Sequence, residues 1–133
     1  MTENTFYISL RFISEEHDFQ ELIPEMNNYK IHYSKKGERV TKNSNFKARA
    51  NVLVVNDCYI GNSIDEEGCT LIVKRLIPIM ESLSVIDTND LIREMYITGV
   101  IENQQFGFMM NLDVIKLLAD NKYALSFSGT SYL

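Results

Sequence analysis

Between positions 6 and 13 the chain alternates, with Phe6, Ile8, Leu10 and Phe12 apolar and Tyr7, Ser9 and Arg11 between them. A period of two places every second side chain on one face of an extended backbone, so the segment predicts a half-buried strand with its apolar row on a core. After the acidic stretch Glu15-Glu16-His17-Asp18, the residues Phe19, Leu22, Ile23 and Met26 fall at i, i+3, i+4 and i+7. That spacing predicts a short helix, capped by Asp18 and cut or kinked at Pro24. Residues 30–33 predict a second, short strand that runs into the turn-forming Ser34-Lys35-Lys36-Gly37.

Residues 48–60 are rich in β-branched side chains and apolar on both faces around 52–55, the pattern of a central strand. Ser63 and Glu66 have capping-box spacing, and Ile72, Val73, Leu76, Ile77, Met80 and Leu83 continue a stripe of helical period. This is the longest predicted helix, with Gly68 near its start and a kink expected at Pro78. Residues 95–101 and 106–110 flank Glu102-Asn103-Gln104-Gln105 in the manner of a hairpin. Asn111 is placed to cap a third helix carrying Val114, Ile115, Leu117 and Leu118, with Asp113 in its first turn and Lys122 in its last. Residues 123–127 read as a closing strand. By their phase, Leu10, Phe12, Val54, Leu76, Met80, Ile97, Phe108, Leu118 and Phe127 are expected to share one core.

The resulting order, β-α-β-β-α-β-β-α-β, predicts an α+β fold with a mixed or antiparallel sheet and helices mainly on one face. Its β-α-β-β-α-β portion has the ferredoxin-like order. At 133 residues, with no repeat, linker or low-complexity tract, the chain reads as a single domain, 1–133. Hydrophobic residues at 45% and charged residues at 23% are ordinary globular usage and exclude a disordered class.

Met1-Thr2-Glu3-Asn4 has neither a basic region nor an apolar run behind it, and no apolar stretch approaches membrane-spanning length, so the expectation is a cytoplasmic protein without a membrane partner. Cys58 and Cys69 are expected to be buried, reduced thiols rather than a disulfide.

Charge changes the picture more. Residues 30–49 hold seven cations, Lys30, Lys35, Lys36, Arg39, Lys42, Lys47 and Arg49, against the single acid Glu38, a net +6 in a chain whose total is -5. The rest of the chain therefore carries -11. Segregation on this scale creates a local positive potential able to meet an acidic protein surface or a phosphate. Within it, Lys35, Lys36 and Arg39 are the candidate partner-binding residues, because Gly37 lets the turn project them outward.

Motifs for catalysis are missing. His17, in Glu-Glu-His-Asp, has potential metal ligands only as chain neighbours, which seldom converge on one ion without a distant partner, and His32 sits on a short strand. Cys58 and Cys69 are eleven apart with no CxxC or HxxxH, so neither zinc nor any other cofactor is expected. No phosphate-binding glycine loop, nucleophile elbow or EF-hand pattern occurs. The expectation is that the chain is not an enzyme.

Three stretches resemble the family of small bacterial proteins catalogued as domain of unknown function 4279. They are the opening strand Tyr7-Ile8-Ser9-Leu10-Arg11-Phe12 with its acidic loop and helix, the turn Lys35-Lys36-Gly37-Glu38-Arg39, and the closing helix and strand. Members often carry a tryptophan in the third strand, where this chain has Cys58-Tyr59-Ile60. The resemblance implies an α+β domain in a bacterial or phage setting and brings no activity. Together with the charge map it leads to the expectation of a non-enzymatic protein-binding module, most concretely a toxin-neutralising immunity protein. The alternative is a regulatory domain that binds a phosphate-bearing ligand or nucleic acid.

Overall fold

The computed structural model describes residues 4–26, 29–39, 42–43, 45–61, 63–84, 86, 90–101 and 109–131. The alternating segment forms β1 (Asn4–Ser14), in which Phe6, Ile8, Leu10 and Phe12 are all 0% exposed. A 3-10 helix (Gln20–Met26) follows, then β2 (Lys30–Ser34), β3 (Asn51–Gly61), α1 (Glu66–Ser84), β4 (Ile92–Ile101), α2 (Leu112–Asp120) and β5 (Tyr123–Ser131).

The fold is α+β, with a five-stranded mixed sheet in the order β2-β3-β1-β4-β5. β1 is antiparallel to both β3 and β4, β2 is antiparallel to β3, and β5 runs parallel to β4. β3 and β4 thus run the same way on either side of β1 and are joined by α1. β1 and β2 likewise flank β3 and are joined by the 3-10 helix. This is the split crossover of a ferredoxin-like sheet, to which α2 and β5 add a fifth strand.

The core lies between the helices and the sheet face that carries the even-numbered residues of β1. Leu53 and Val55 of β3, Met95 and Ile97 of β4, and Cys69, Ile72, Val73, Leu76, Ile79, Met80 and Leu83 of α1 join it. The opposite face is open and partly polar, with Tyr7, Cys58 and Ile60 exposed on it and Ser9 bonded to Asn56 at 2.6 Å.

Several expectations change. The first helix is 3-10, not α, although Asp18 caps it as expected by accepting from the Gln20 N–H at 2.9 Å. Asp65, one residue before α1, also caps it, accepting from Gly68 N–H at 2.8 Å. α1 continues through Pro78 without a break in its helical assignment, with the proline on its exposed side.

Of the expected hairpin, 102–108, including Phe108, lies outside the described residues, and Met109 and Met110 are not in a strand. Met109 N–H bonds to the Ile64 carbonyl instead, at 2.7 Å, and the neighbour of β4 on that side is β5. Lys122 falls beyond α2, at φ 59, in the left-handed position that usually terminates a helix.

Two expected core residues also move. Val54 pairs with Arg11 and so faces the open side, while Phe127 is 38% exposed because β5 is an outer strand. Both cysteines are free thiols, but only Cys69 is buried, and burial pushes its thiol pKa up. Cys58 is exposed because its register with Tyr7 puts it on the open face.

Gly68 is required by packing. A Cβ there would lie 2.8 Å from the Tyr59 hydroxyl and 2.9 Å from its ring, so α1 approaches β3 this closely only without a side chain. Gly68→Ala gains up to about 1 kcal/mol of helix propensity but meets an overpacking cost of roughly 1–3 kcal/mol. The expected result in chemical denaturation is a net loss. In a Tyr59→Ala background the same change is expected to stabilise by up to about 1 kcal/mol, and stabilisation in both backgrounds would refute the close approach.

Candidate functional site

The basic segment leaves the sheet at the end of β2 and returns into β3, and its base is tightly organised. Gly37 takes φ 88, a left-handed conformation that glycine accepts without strain. Around it the Gly37 N–H bonds to the Ala48 carbonyl at 2.9 Å and the Ala48 N–H to the Glu38 carbonyl at 2.8 Å. One step further out, Arg39 and Lys47 form an antiparallel bridge. The segment is therefore a hairpin-like arm, in which two cations face each other across the strands.

Side chains beneath it fix the exit. Asn51 is buried and uses both ends of its amide, accepting from Lys36 N–H at 2.8 Å and donating to the His17 carbonyl at 2.8 Å. Its register partner Ser14 accepts from His17 N–H at 2.8 Å and donates to Asp90, which also accepts from Glu15 N–H at 2.7 Å. The start of the acidic loop is thus gathered around the Asp90 carboxylate.

Asp18 completes the base. It accepts from the Tyr33 hydroxyl and the Gln20 N–H and lies 3.6 Å from the Lys35 amine. The Tyr33 hydrogen bond, then the Gln20 N–H, holds its carboxyl below the usual carboxylate range, while partial burial and the Asp18 contact push the Tyr33 phenol well above its ordinary value.

The three sequence candidates consequently separate. Lys35 is half-engaged by Asp18 at the base, whereas Lys36 and Arg39 are exposed on the arm beside Lys42, Lys47 and Arg49. Sequence reasoning passed over Phe46, which is 79% exposed next to Lys47. Its signal was available: it is the one aromatic residue within the polar half of the basic window.

A second feature lies where β3 continues past the first residue of β2. A cavity of about 550 Å³ opens there, bounded by Tyr7, Tyr29, Lys30, Asn56, Cys58 and Arg75. Arg75 is committed to the wall, with its Nε 3.1 Å from Asp57 and a terminal nitrogen donating to the Cys58 carbonyl at 3.3 Å. Neither histidine enters the arm or the cavity: the His17 ring lies 5.6 Å from that of Phe19, tilted by 57°, and His32 faces solvent 3.5 Å from the Ser34 hydroxyl. Among the described residues no three His, Cys, Asp or Glu side chains come together as a metal would require.

No family model matches this chain, and no curated protein or solved structure proved similar to it.

The lowered Asp18 pKa has a direct consequence. A carboxyl whose folded value is depressed below 3.8 contributes stability that is present above that value and lost as pH falls through the lower folded one. Asp18→Asn is therefore expected to lower the melting temperature at neutral pH, with the gap to the wild type closing below about pH 4. A gap that stays constant from about pH 7 to about pH 2 would show that the charge of Asp18 contributes nothing.

Proposed function

We propose that this chain is a non-enzymatic protein-binding module whose basic arm docks on an acidic surface of its partner. The reading is supported chiefly by the pairing of Arg39 with Lys47 beside an exposed Phe46. Like charges directly opposite each other on adjacent strands cost a few tenths of a kcal/mol to about 1 kcal/mol, and an acidic partner removes that cost. An exposed aromatic ring among cations has the composition of an interface anchor.

A toxin-neutralising immunity protein is the most concrete form of this function, because neutralisers act by covering a surface and need no motif of their own. A bacterial or phage cytoplasm is the corresponding setting, in keeping with two free thiols. Among the described residues no helix is long and apolar enough to cross a membrane.

The test separates charge from anchor. A partner captured from the host lysate is expected to associate about tenfold more slowly with Lys36→Ala/Arg39→Ala/Lys47→Ala at low salt, with a flattened salt dependence. Phe46→Ala is expected to act on dissociation instead. Stability is expected to shift by no more than about 0.5 kcal/mol per cation removed. Unchanged association and dissociation in both variants would sink the proposal. A log–log salt slope that falls by roughly one per cation removed would identify a nucleic acid as the partner.

The cavity beside β3 supports the alternative, a regulatory domain for a phosphate-bearing ligand. Its volume of about 550 Å³ suits a small molecule, and Lys30 supplies a cation. In that case nucleotides are expected to raise the melting temperature of the wild type and not of Lys30→Ala. The absence of any shift would remove this reading.

A further inference from the structure

β2 reaches only as far as Lys30, paired with Asn56, whereas β3 runs on to Gly61, and the cavity of about 550 Å³ occupies the step between them. One wall of it is already satisfied. The Asp57 carboxylate accepts from the Cys58 N–H at 2.7 Å and meets Arg75 Nε at 3.1 Å, while Arg75 donates to the Cys58 carbonyl at 3.3 Å. Tyr29 is tied to the same wall, with its hydroxyl donating to the Arg75 carbonyl at 2.7 Å, so it is the ring of Tyr29 that is left to a ligand.

Two donors stay uncommitted beside that wall. Lys30 and Asn56 are register partners on the open face, where the Cβ atoms of paired residues stand about 4.5–5.5 Å apart. Among the described residues no acid pairs with Lys30, and Asn56 accepts from Ser9 through its amide oxygen, which leaves its NH2 group to donate. An amine and an amide at this spacing can meet the oxygens of one anionic group. Two residues further along the same face of β3 is Cys58, opposite Tyr7, which is 51% exposed. Tyr7 and Tyr29 thus add aromatic surface close to the two donors.

We propose that the cavity binds a small ligand in which one singly charged oxyanion is attached to a flat aromatic ring. The anion lies on Lys30 and Asn56, and the ring lies against Tyr7 and Tyr29. This rests on the cavity being a ligand site, the second reading of the function, and narrows the ligand by charge. Arg75 and Asp57 neutralise each other, so the described lining offers only the charge of Lys30. A phosphomonoester carries about -1.5 to -2 at neutral pH and a polyphosphate more, on a chain whose total is already -5. A phosphodiester or a carboxylate brings a single charge, which Lys30 matches.

Cys58 reports occupancy, because it is exposed in the lining while Cys69 is buried. Alkylation of the whole chain by iodoacetamide, followed at Cys58 by peptide mass mapping, is compared with cyclic AMP, an indole carboxylate, AMP and ATP present. The first two probes separate a phosphodiester from a carboxylate. At about ten times its Kd, a bound probe is expected to slow alkylation of Cys58 about tenfold. Lys30→Ala and Tyr7→Leu, both at exposed side chains, are each expected to weaken that probe about tenfold or more, with circular dichroism establishing that they are folded. Should Tyr7→Leu misfold, Lys30→Ala carries the test. Protection strongest with AMP or ATP would overturn the proposal and leave the ligand-site reading standing. Protection lost with Lys36→Ala/Arg39→Ala but kept with Lys30→Ala would place the anion on the arm and overturn it as well. No protection by any probe up to about 1 mM would remove the proposal and the ligand-site reading together.

Discussion

The whole arrangement depends on the pairing of β1. Phe6, Ile8, Leu10 and Phe12 are completely buried, and β1 is hydrogen-bonded along nearly its whole length to β3 on one side and β4 on the other. A slip of one residue would drive Tyr7, Ser9 and Arg11 into the core, and burying an unpaired guanidinium costs several kcal/mol. The register is therefore locked by burial. Through it Leu53 and Val55 of β3 and Met95 and Ile97 of β4 are brought to the same face, where α1 can cover them all.

That register also decides where the basic arm leaves. Ser14 and Asn51 are paired at one end of the β1–β3 ladder, and both are buried polar residues that hold the neighbouring loops, Asn51 through the Lys36 N–H and the His17 carbonyl and Ser14 through the His17 N–H and the Asp90 carboxylate. A buried amide lacking such partners would cost about 1–3 kcal/mol, so the loop at His17 and the turn at Lys36 are held where Asn51 meets them. Core packing is in this way transmitted to a surface feature whose own residues pack little.

Period carried most of the fold in the sequence. β1, α1 and α2 were legible because burial on one face imposes spacing, and Asn111 caps α2 as its position suggested, accepting from Val114 N–H at 2.9 Å. What was not legible depended on contacts between distant segments. Val54 reads as core until pairing with Arg11 puts it on the open side, and Phe127 until β5 proves to be an outer strand. Gly68 reads as a flaw in a helix until Tyr59 is placed against it. At the candidate site, the charge run and the role of Gly37 were readable, whereas the opposition of Arg39 to Lys47 and the engagement of Lys35 by Asp18 required the chain to be folded.

Why the arm keeps its charge on display, on a body that carries -11, is a question of magnitudes. Folding flat against the acidic surface would bring exposed ion pairs worth about 0–1 kcal/mol each, reduced further by screening over roughly 8 Å at physiological salt. It would break the hydrogen bonds from Gly37 to Ala48 and from Ala48 to Glu38, each contributing about 0.5–1.5 kcal/mol, and would disturb the Lys36 bond to buried Asn51. Asp18, the acid at the base of the arm, is already engaged by Tyr33 and Lys35. Backbone geometry therefore outweighs surface attraction, and the cations remain outward and available to an acidic surface on another molecule.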